Sequence, residues 1–400
     1  MPFLRKVVRG SIILSYGLIA LEIIIMVSPF AFYFYSIYGP FLKGLHGFPA
    51  TRWLTAFILP HILYSGDPML NWSERIGFYL FPIGLWIFIV GAIHVYGAKL
   101  FRKGPVTNGL YAFVRHPQYL GLIVSGLGLF LFWPRFFILV MYVTMVFIYY
   151  HLARHEEKEM EGRYGEKYLA YKGKTGMFLP GNLGGRFSTL LGGWRFEGKL
   201  SPVLMYGLIL SITIGFGFLL REYSKGRIPS FYLEGENTRV VYSYPRKDAD
   251  MRRIVNFALN DERTQSLMEK SHLDHETSYI AHIVPSHHGM GRLIATVDET
   301  LRRPQRIDWE NLRFPIRLLF PFISGDHHQS CRSQWQTVRV IISKLSSPDG
   351  GYIPESEAFS INAMRTPLFL AEVDSNTGEV LEVSETLPRH FWGDMPMPAF

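Results

Sequence analysis

RHPQYLGLIVSGLGLFLFWPRFFILVMYVTMVFIYYHLARHEE, residues 115–157, is the stretch that decides how this chain is built. Between Pro117 and Ala153 it carries one charge, Arg135, and is otherwise largely apolar. The break inside it is Trp133-Pro134. Proline removes an amide donor and clashes with the preceding helical turn, so two short helices joined by a tight turn are predicted rather than one long helix. Such a pair crosses the bilayer twice or penetrates most of it as a hairpin.

Outward from the hairpin, apolar runs at 11–38, 76–98 and 200–220 are each long enough to span a membrane. A further stretch, 49–64, is interrupted by Pro49, Arg52, Pro60 and His61, and reads as an interfacial segment or a tilted crossing. The run from Ser11 to Tyr38 is too long for a signal-peptide core and no small-residue cleavage pattern follows it, so it is expected to be a retained span. Basic residues collect in two short loops, at Lys99, Arg102, Lys103 and Arg115 and again at Arg154, Lys158, Arg163, Lys167, Lys172 and Lys174. That bias places both loops on the cytoplasmic side.

Charge divides the chain. Residues 1–220 hold 20 Lys or Arg against 9 Asp or Glu, and residues 221–400 hold 21 against 24. Excess positive charge beside apolar runs suits anionic headgroups, and no basic stripe with interleaved aromatics marks a nucleic-acid surface. The single cysteine, Cys331, excludes an internal disulfide framework and a thiolate zinc cluster. A glycine-rich stretch, GNLGGRFSTLLGGW, leads into the run at 200–220. Beyond Arg221, alternation at Thr337–Ile342 and Glu379–Val383, with turn signals at Pro348-Asp349-Gly350-Gly351 and Asn376-Thr377-Gly378, indicates strands. The expected fold is an α-helical polytopic membrane protein of five or six spans with a C-terminal mixed, strand-containing soluble domain. Its expected parts are a transmembrane core at 1–180, a linker at 181–199, another transmembrane helix at 200–220 and the soluble domain at 221–400.

The chemistry concentrates at the mouths of the hairpin. Pro117 suits a first helical turn, so Arg115 and His116 stand at a free helix start, which favours a carboxylate or other anion. Tyr119 and Gly121 lie in the first turns; Gly121 leaves room for a flat cofactor to approach the backbone, and Tyr111 offers a ring and a hydroxyl. At the other mouth, a helix continuing out of the membrane places Glu156, Met160, Tyr164 and Tyr168 on one face. Glu156 needs exposure or a cationic partner there, and a ligand with an ammonium and a sulfonium provides one. Glu157 is expected on the solvated surface, balanced by Arg154, Lys158 and Arg163. His151 and His155 read as an interface pair. Seven of the eight histidines beyond Arg221, at 272, 275, 282, 287, 288, 327 and 328, form the richest set, but they match no ligand spacing, so no metal site is assigned.

Arg115-His116-Pro117-Gln118-Tyr119-Leu120-Gly121, followed a hairpin later by Glu156-Glu157 and by Tyr164, Tyr168 and Tyr171, resembles the isoprenylcysteine carboxyl methyltransferase and phospholipid methyltransferase superfamily. The resemblance covers about 76–180. It implies S-adenosylmethionine as cofactor, bound by His116, Tyr119, Gly121, Glu156 and Glu157, with Tyr111, Arg115 and Tyr168 at the reaction mouth. It also implies a membrane lipid or isoprenoid-like acceptor, methylated on a carboxylate oxygen or an amine nitrogen. Two other readings stand beside it: a lipid reductase using a reduced nicotinamide, and an inactive anchor displaying a soluble binding domain of unknown partner. No evident nucleotide motif and the presence of Glu156-Glu157 favour methyl transfer. Since this cofactor is held in the cytosol, the mouths are expected on the cytoplasmic face of an inner or plasma membrane. One crossing by 200–220 then puts the C-terminal domain outside the cytoplasm.

Overall fold

A computed structural model describes residues 2–36, 39–60, 67–101, 105–180, 201–233, 237–242, 247–270, 277–286 and 336–386. The glycine-rich linker, Cys331, Arg102, Lys103 and the histidines at 272, 275, 287, 288, 327 and 328 lie outside them. In chain order the helices are α1 (Pro2–Ser36), α2 (Gly39–Gly47), α3 (Pro68–Leu100), α4 (Pro117–Phe132), α5 (Phe136–Tyr164), α6 (Glu166–Lys174) and α7 (Pro202–Lys225). Then follow β1 (Ser230–Leu233), β2 (Thr238–Tyr242), α8 (Asp248–Asn260), α9 (Glu262–Lys270), β3 (Tyr279–Pro285), β4 (Thr337–Ser346), β5 (Met364–Asp374) and β6 (Val380–Glu385). The Trp133-Pro134 break therefore forms the turn between α4 and α5.

Among the described residues three helices are long and apolar enough to cross a membrane: α3, α5 and α7. Two shorter apolar helical stretches accompany them, Ile19–Phe34 within α1 and the whole of α4. This supports an integral-membrane location. The interrupted segment at 49–60 forms no such helix. Arg52–Thr55 is a single 3-10 turn, and the chain then runs extended, with Phe57 bridging Arg135 in antiparallel fashion. Residues 61–64 of that segment lie outside the described residues.

The chain divides into two compact units that are not consecutive in sequence. One comprises 1–37, 76–131 and 138–214; the other comprises 38–75, 132–137 and 215–400. In the first, α3 and α4 approach to backbone contact. A Cβ on Gly121 would lie 2.4 Å from the Phe88 amide nitrogen and 2.6 Å from the Gly84 carbonyl oxygen, and one on Gly128 would lie 2.5 Å from the Phe81 nitrogen. Small residues on facing helices permit the van der Waals contact that drives association where no hydrophobic effect operates. The side of Gly121 that its missing side chain leaves open is thus filled by α3, which accounts for the glycine without a cofactor.

The second unit contains a six-stranded sheet in the order β1-β2-β3-β4-β5-β6, antiparallel except between β2 and β3. The parallel pair needs a crossover, and α8 and α9 supply it. Helix α8 buries Met251, Ile254, Val255, Ala258 and Leu259, an i, i+3, i+4, i+7, i+8 stripe. These residues pack with Val240, Ala281, Ile283, Val338, Val340, Ile342, Phe369, Ala371 and Val373 on one face of the sheet. The strands read from Thr337–Ile342 and Glu379–Val383 fall in β4 and β6, and the Asn376-Thr377-Gly378 turn closes with Gly378 at φ 79°.

On the other sheet face, Val241, Ile280 and Leu345 pack with Phe57, Ile228, Ala358 and Phe359. Three buried arginines stitch this layer together. Arg135 donates to the Thr55 carbonyl, and Arg221 to the carbonyls of Phe57 and Phe359. Arg365 donates to the Ala358 carbonyl through Nε at 3.1 Å and Nη2 at 2.7 Å. Backbone dipoles thereby stabilise charge that burial disfavours. His282, also on this face, is buried; desolvation first and Arg365 second push its pKa down to about 3, so the imidazole is neutral.

Candidate active site

Pro117 opens α4 as the sequence indicates, and the residues before it are fixed by a returning strand-like segment. After α6 the chain runs back beside them: Val114 forms a parallel bridge with Gly176. The Arg115 amide donates to the Gly176 carbonyl at 2.9 Å and the His116 amide to the Met177 carbonyl at 3.2 Å. Arg115 and His116 are therefore held on two sides, by α4 and by residues 175–177.

From that platform Arg115 reaches Glu157. Its Nε donates to Glu157 Oε1 at 2.7 Å, while Nη1 donates to the carbonyls of Lys172, at 3.1 Å, and Thr175. Lys172 Nζ lies 3.2 Å from the other oxygen of Glu157. The Arg115 and Glu157 side chains are only 9% and 3% exposed, whereas Glu156 is 47% exposed. This corrects the expectation that Glu157 is the solvated member of the pair. Successive helical residues point about 100° apart, and the turn facing Arg115 and Lys172 is that of Glu157.

Glu156 turns the other way. One oxygen accepts from the Tyr119 hydroxyl and the second lies 3.4 Å from His116 Nδ1. His116 Nε2 is 3.5 Å from Glu157 Oε1, within ion-pair reach, though it forms no hydrogen bond. Burial opposes protonation of His116, but both carboxylates outweigh it, so its pKa is raised. A doubly protonated imidazole carries an N–H toward each acid. Gln118 Oε1, at the same mouth, is also buried without a hydrogen-bond partner. The His116 ring stacks on Tyr119 at 5.6 Å, and Tyr119 stacks on Tyr149 at 5.0 Å.

The remaining expected residues frame this centre. The buried Tyr111 donates through its hydroxyl to the Gly91 carbonyl of α3 at 3.2 Å, and its own carbonyl accepts from the Tyr171 hydroxyl at 2.6 Å. Tyr168 is buried on α6, its ring 5.9 Å from that of Tyr171. The helix expected to run unbroken from Glu156 to Tyr168 instead ends at Tyr164, because Gly165 at φ 56° turns the chain into α6. Arg115, His116, Tyr119, Glu156 and Glu157 are brought together, while Gly121 faces α3.

Most of α3, all of α4 and α5 and both acid residues fall between residues 75 and 167. Residues 75–167 match the phospholipid methyltransferase family. No curated protein and no solved structure matches the chain. With the apolar helices, the family match supports methyl transfer from S-adenosylmethionine close to a membrane. The methyltransferase match ends at residue 167, in the first turn of α6, and so excludes Lys172, which holds Glu157, and the pairing segment at 175–177. Lys172 was visible in sequence only as one of many basic loop residues. Tyr149 was hidden in an apolar run, where the one signal is that a buried tyrosine hydroxyl requires a partner. Among the described residues no group of three or more histidine, cysteine or carboxylate side chains is placed to hold a metal.

Proposed function

We propose that the protein transfers a methyl group from S-adenosylmethionine to an amphiphilic acceptor, a membrane lipid or isoprenoid-like molecule, at the cytoplasmic face. The observation that carries this reading is the division of labour between the two acids. Glu157 is committed to Arg115 and Lys172, leaving Glu156 half-exposed beside His116 and Tyr119 as the carboxylate available to an ammonium. The buried His116 Nε2 and the start of α4 suit a ligand that also carries a carboxylate, and the buried acceptor Gln118 Oε1 suits its ammonium. When bound, S-adenosylmethionine supplies a methyl group activated by its sulfonium. Glu156, His116 and Tyr119 hold the cofactor, and Glu157 holds the residues that orient it. Arg115, Tyr111 and Tyr168 shape the reaction mouth from the α3, α6 and 175–177 side. Positioning and charge environment suffice for such a transfer, and an acceptor carboxylate needs no general base, whereas a protonated amine does.

The cofactor half of the reading is tested by calorimetric titration of detergent-solubilised protein with S-adenosylmethionine. Saturable binding is expected, weakened roughly 10- to 100-fold in Glu156→Gln, the effect of one charged hydrogen-bond partner. A folded wild-type protein without saturable binding sinks the proposal.

Five spans follow if α1 and α4 cross together with α3, α5 and α7. Basic residues at both mouths support a cytoplasmic site. A single crossing by α7 then carries the sheet domain to the opposite side of an inner or plasma membrane. In a Cys331→Ser background, Tyr352→Cys places a thiol at a position that is 59% exposed. A membrane-impermeant maleimide is expected to label it from the non-cytoplasmic side of sealed inverted and right-side-out vesicles compared in parallel. Labelling confined to inverted vesicles overturns this placement.

A further inference from the structure

Helix α1 lies outside the family match and contains a proline, Pro29, in its interior. Pro29 has no amide hydrogen to donate to the carbonyl of Ile25, and its ring crowds the same turn. The Ser28 hydroxyl donates to that carbonyl instead, at 3.1 Å. The next pair in the helical ladder, Met26 and Phe30, is bridged from another helix. The Tyr149 hydroxyl of α5 accepts from the Phe30 amide at 3.1 Å and donates to the Met26 carbonyl at 3.0 Å. Insertion of a side-chain group into the ladder is a recognised origin of a helix kink. With both lone-pair and proton directions used, this fully buried phenol has one position available to it.

The ring of Tyr149 continues the connection. It stacks on Tyr119 at 5.0 Å with planes 22° apart, the Tyr119 hydroxyl donates to Glu156, and the far side of the same assembly is the His116 ring, 21° from the plane of Tyr119. All of these residues belong to one compact unit. We propose that Tyr149 is a positioning residue: anchored on the Met26–Phe30 step next to Pro29, it fixes Tyr119 and so presents Glu156 and His116 to the cofactor. Helix α1 is then a working part of the methyl-transfer core and not only a membrane anchor. This inference rests on the assignment of Glu156 to the cofactor.

Tyr33 provides the control, since it too makes a buried hydroxyl contact between α1 and the core. Its hydroxyl donates to the Gly126 carbonyl at 2.8 Å, and its ring lies against those of Phe30 and Tyr142. Tyr149→Phe keeps the stacked ring and removes the anchor, as Tyr33→Phe removes the other hydrogen bond. Both variants are expected to lower the melting temperature by similar amounts. Only Tyr149→Phe is expected to raise the S-adenosylmethionine Kd, by roughly tenfold. Pro29→Ala is the companion variant: without the ring that crowds the preceding turn, α1 can draw the Phe30 amide onto the Met26 carbonyl, releasing the Tyr149 hydroxyl while strengthening the helix. It is expected to raise Kd in the same direction without loss of melting temperature. Equal Kd changes in Tyr149→Phe and Tyr33→Phe, or unchanged Kd in both Tyr149→Phe and Pro29→Ala, overturn the role of Tyr149 while leaving the cofactor assignment intact. Absence of binding in the wild type overturns the cofactor assignment, and this inference with it.

Discussion

Replacing Glu157 with glutamine is expected to destabilise the protein by about 3–5 kcal/mol, because it leaves a buried guanidinium without its countercharge. The Arg115–Glu157 pair is 2.7 Å apart and almost wholly withdrawn from solvent, and Lys172 shares the same carboxylate. Glutamine retains the volume but not the charge, so the loss isolates electrostatics from packing. Glu156→Gln, one residue earlier, removes a half-exposed carboxylate and is expected to change stability by no more than about 1 kcal/mol, as partly solvated pairs do. The pair of variants therefore separates two roles that adjacent identical residues hide: Glu157→Gln lowers the thermal unfolding midpoint in detergent, and Glu156→Gln weakens cofactor binding. Indistinguishable melting curves for the two variants would refute this division.

Gly121→Ala is expected to cost about 3 kcal/mol or more, at the upper end of overpacking effects, because the added methyl meets backbone and not a side chain that can swing aside. With the Phe88 nitrogen 2.4 Å away and the Gly84 carbonyl 2.6 Å away, α3 and α4 must separate along their contact. That separation also carries Pro117, and hence His116, away from α3, whose Gly91 lies against Pro117 and Gln118. Gly97→Ala on the same helix is the control, since nothing lies within 4 Å of its Cβ position. Thermal unfolding of the two variants checks the expectation, which fails if Gly121→Ala melts with Gly97→Ala.

The hairpin was legible because its cause is local: Trp133-Pro134 stops one helix, Pro117 starts another, and neither effect depends on the rest of the chain. Strands β4 and β6 were legible for the same reason, through alternation next to glycine turns. The orientation of the two acids was not. Which of Glu156 and Glu157 is buried depends on Arg115 and Lys172 arriving from 42 and 15 residues away. A sequence that carries both acids beside several bases fits either choice. The unbroken helix through Tyr168 failed on Gly165, whose positive φ uses a freedom that glycine has but does not have to exercise. Gly121 shows the converse: room left by a missing side chain was readable, but whether a ligand or a neighbouring helix fills it was not. The role of 49–60 was hidden more deeply, because Phe57 packs with residues more than 150 positions away.

That last arrangement bears on biosynthesis. The sheet-containing unit is a high-contact-order assembly whose first pieces, residues 38–75 and 132–137, leave the ribosome long before its last. Phe57, the ring over which Arg135 sits at 3.8 Å, meets Arg135 early, but its partners Ile228, Leu345 and Phe359 are translated later. About 300 residues separate Phe57 from Phe359, which at about 5–20 residues per second corresponds to a wait of roughly 15 to 60 s. During that interval an apolar segment and a guanidinium destined for burial stand uncovered, the kind of surface on which chaperones act and nascent chains aggregate. Ribosome release of a chain stopped before α7 would leave this half-built layer permanently open, so a shortened catalytic core is expected to need either its sheet domain supplied in trans or the 49–60 and 132–137 surfaces resurfaced before it can be handled alone.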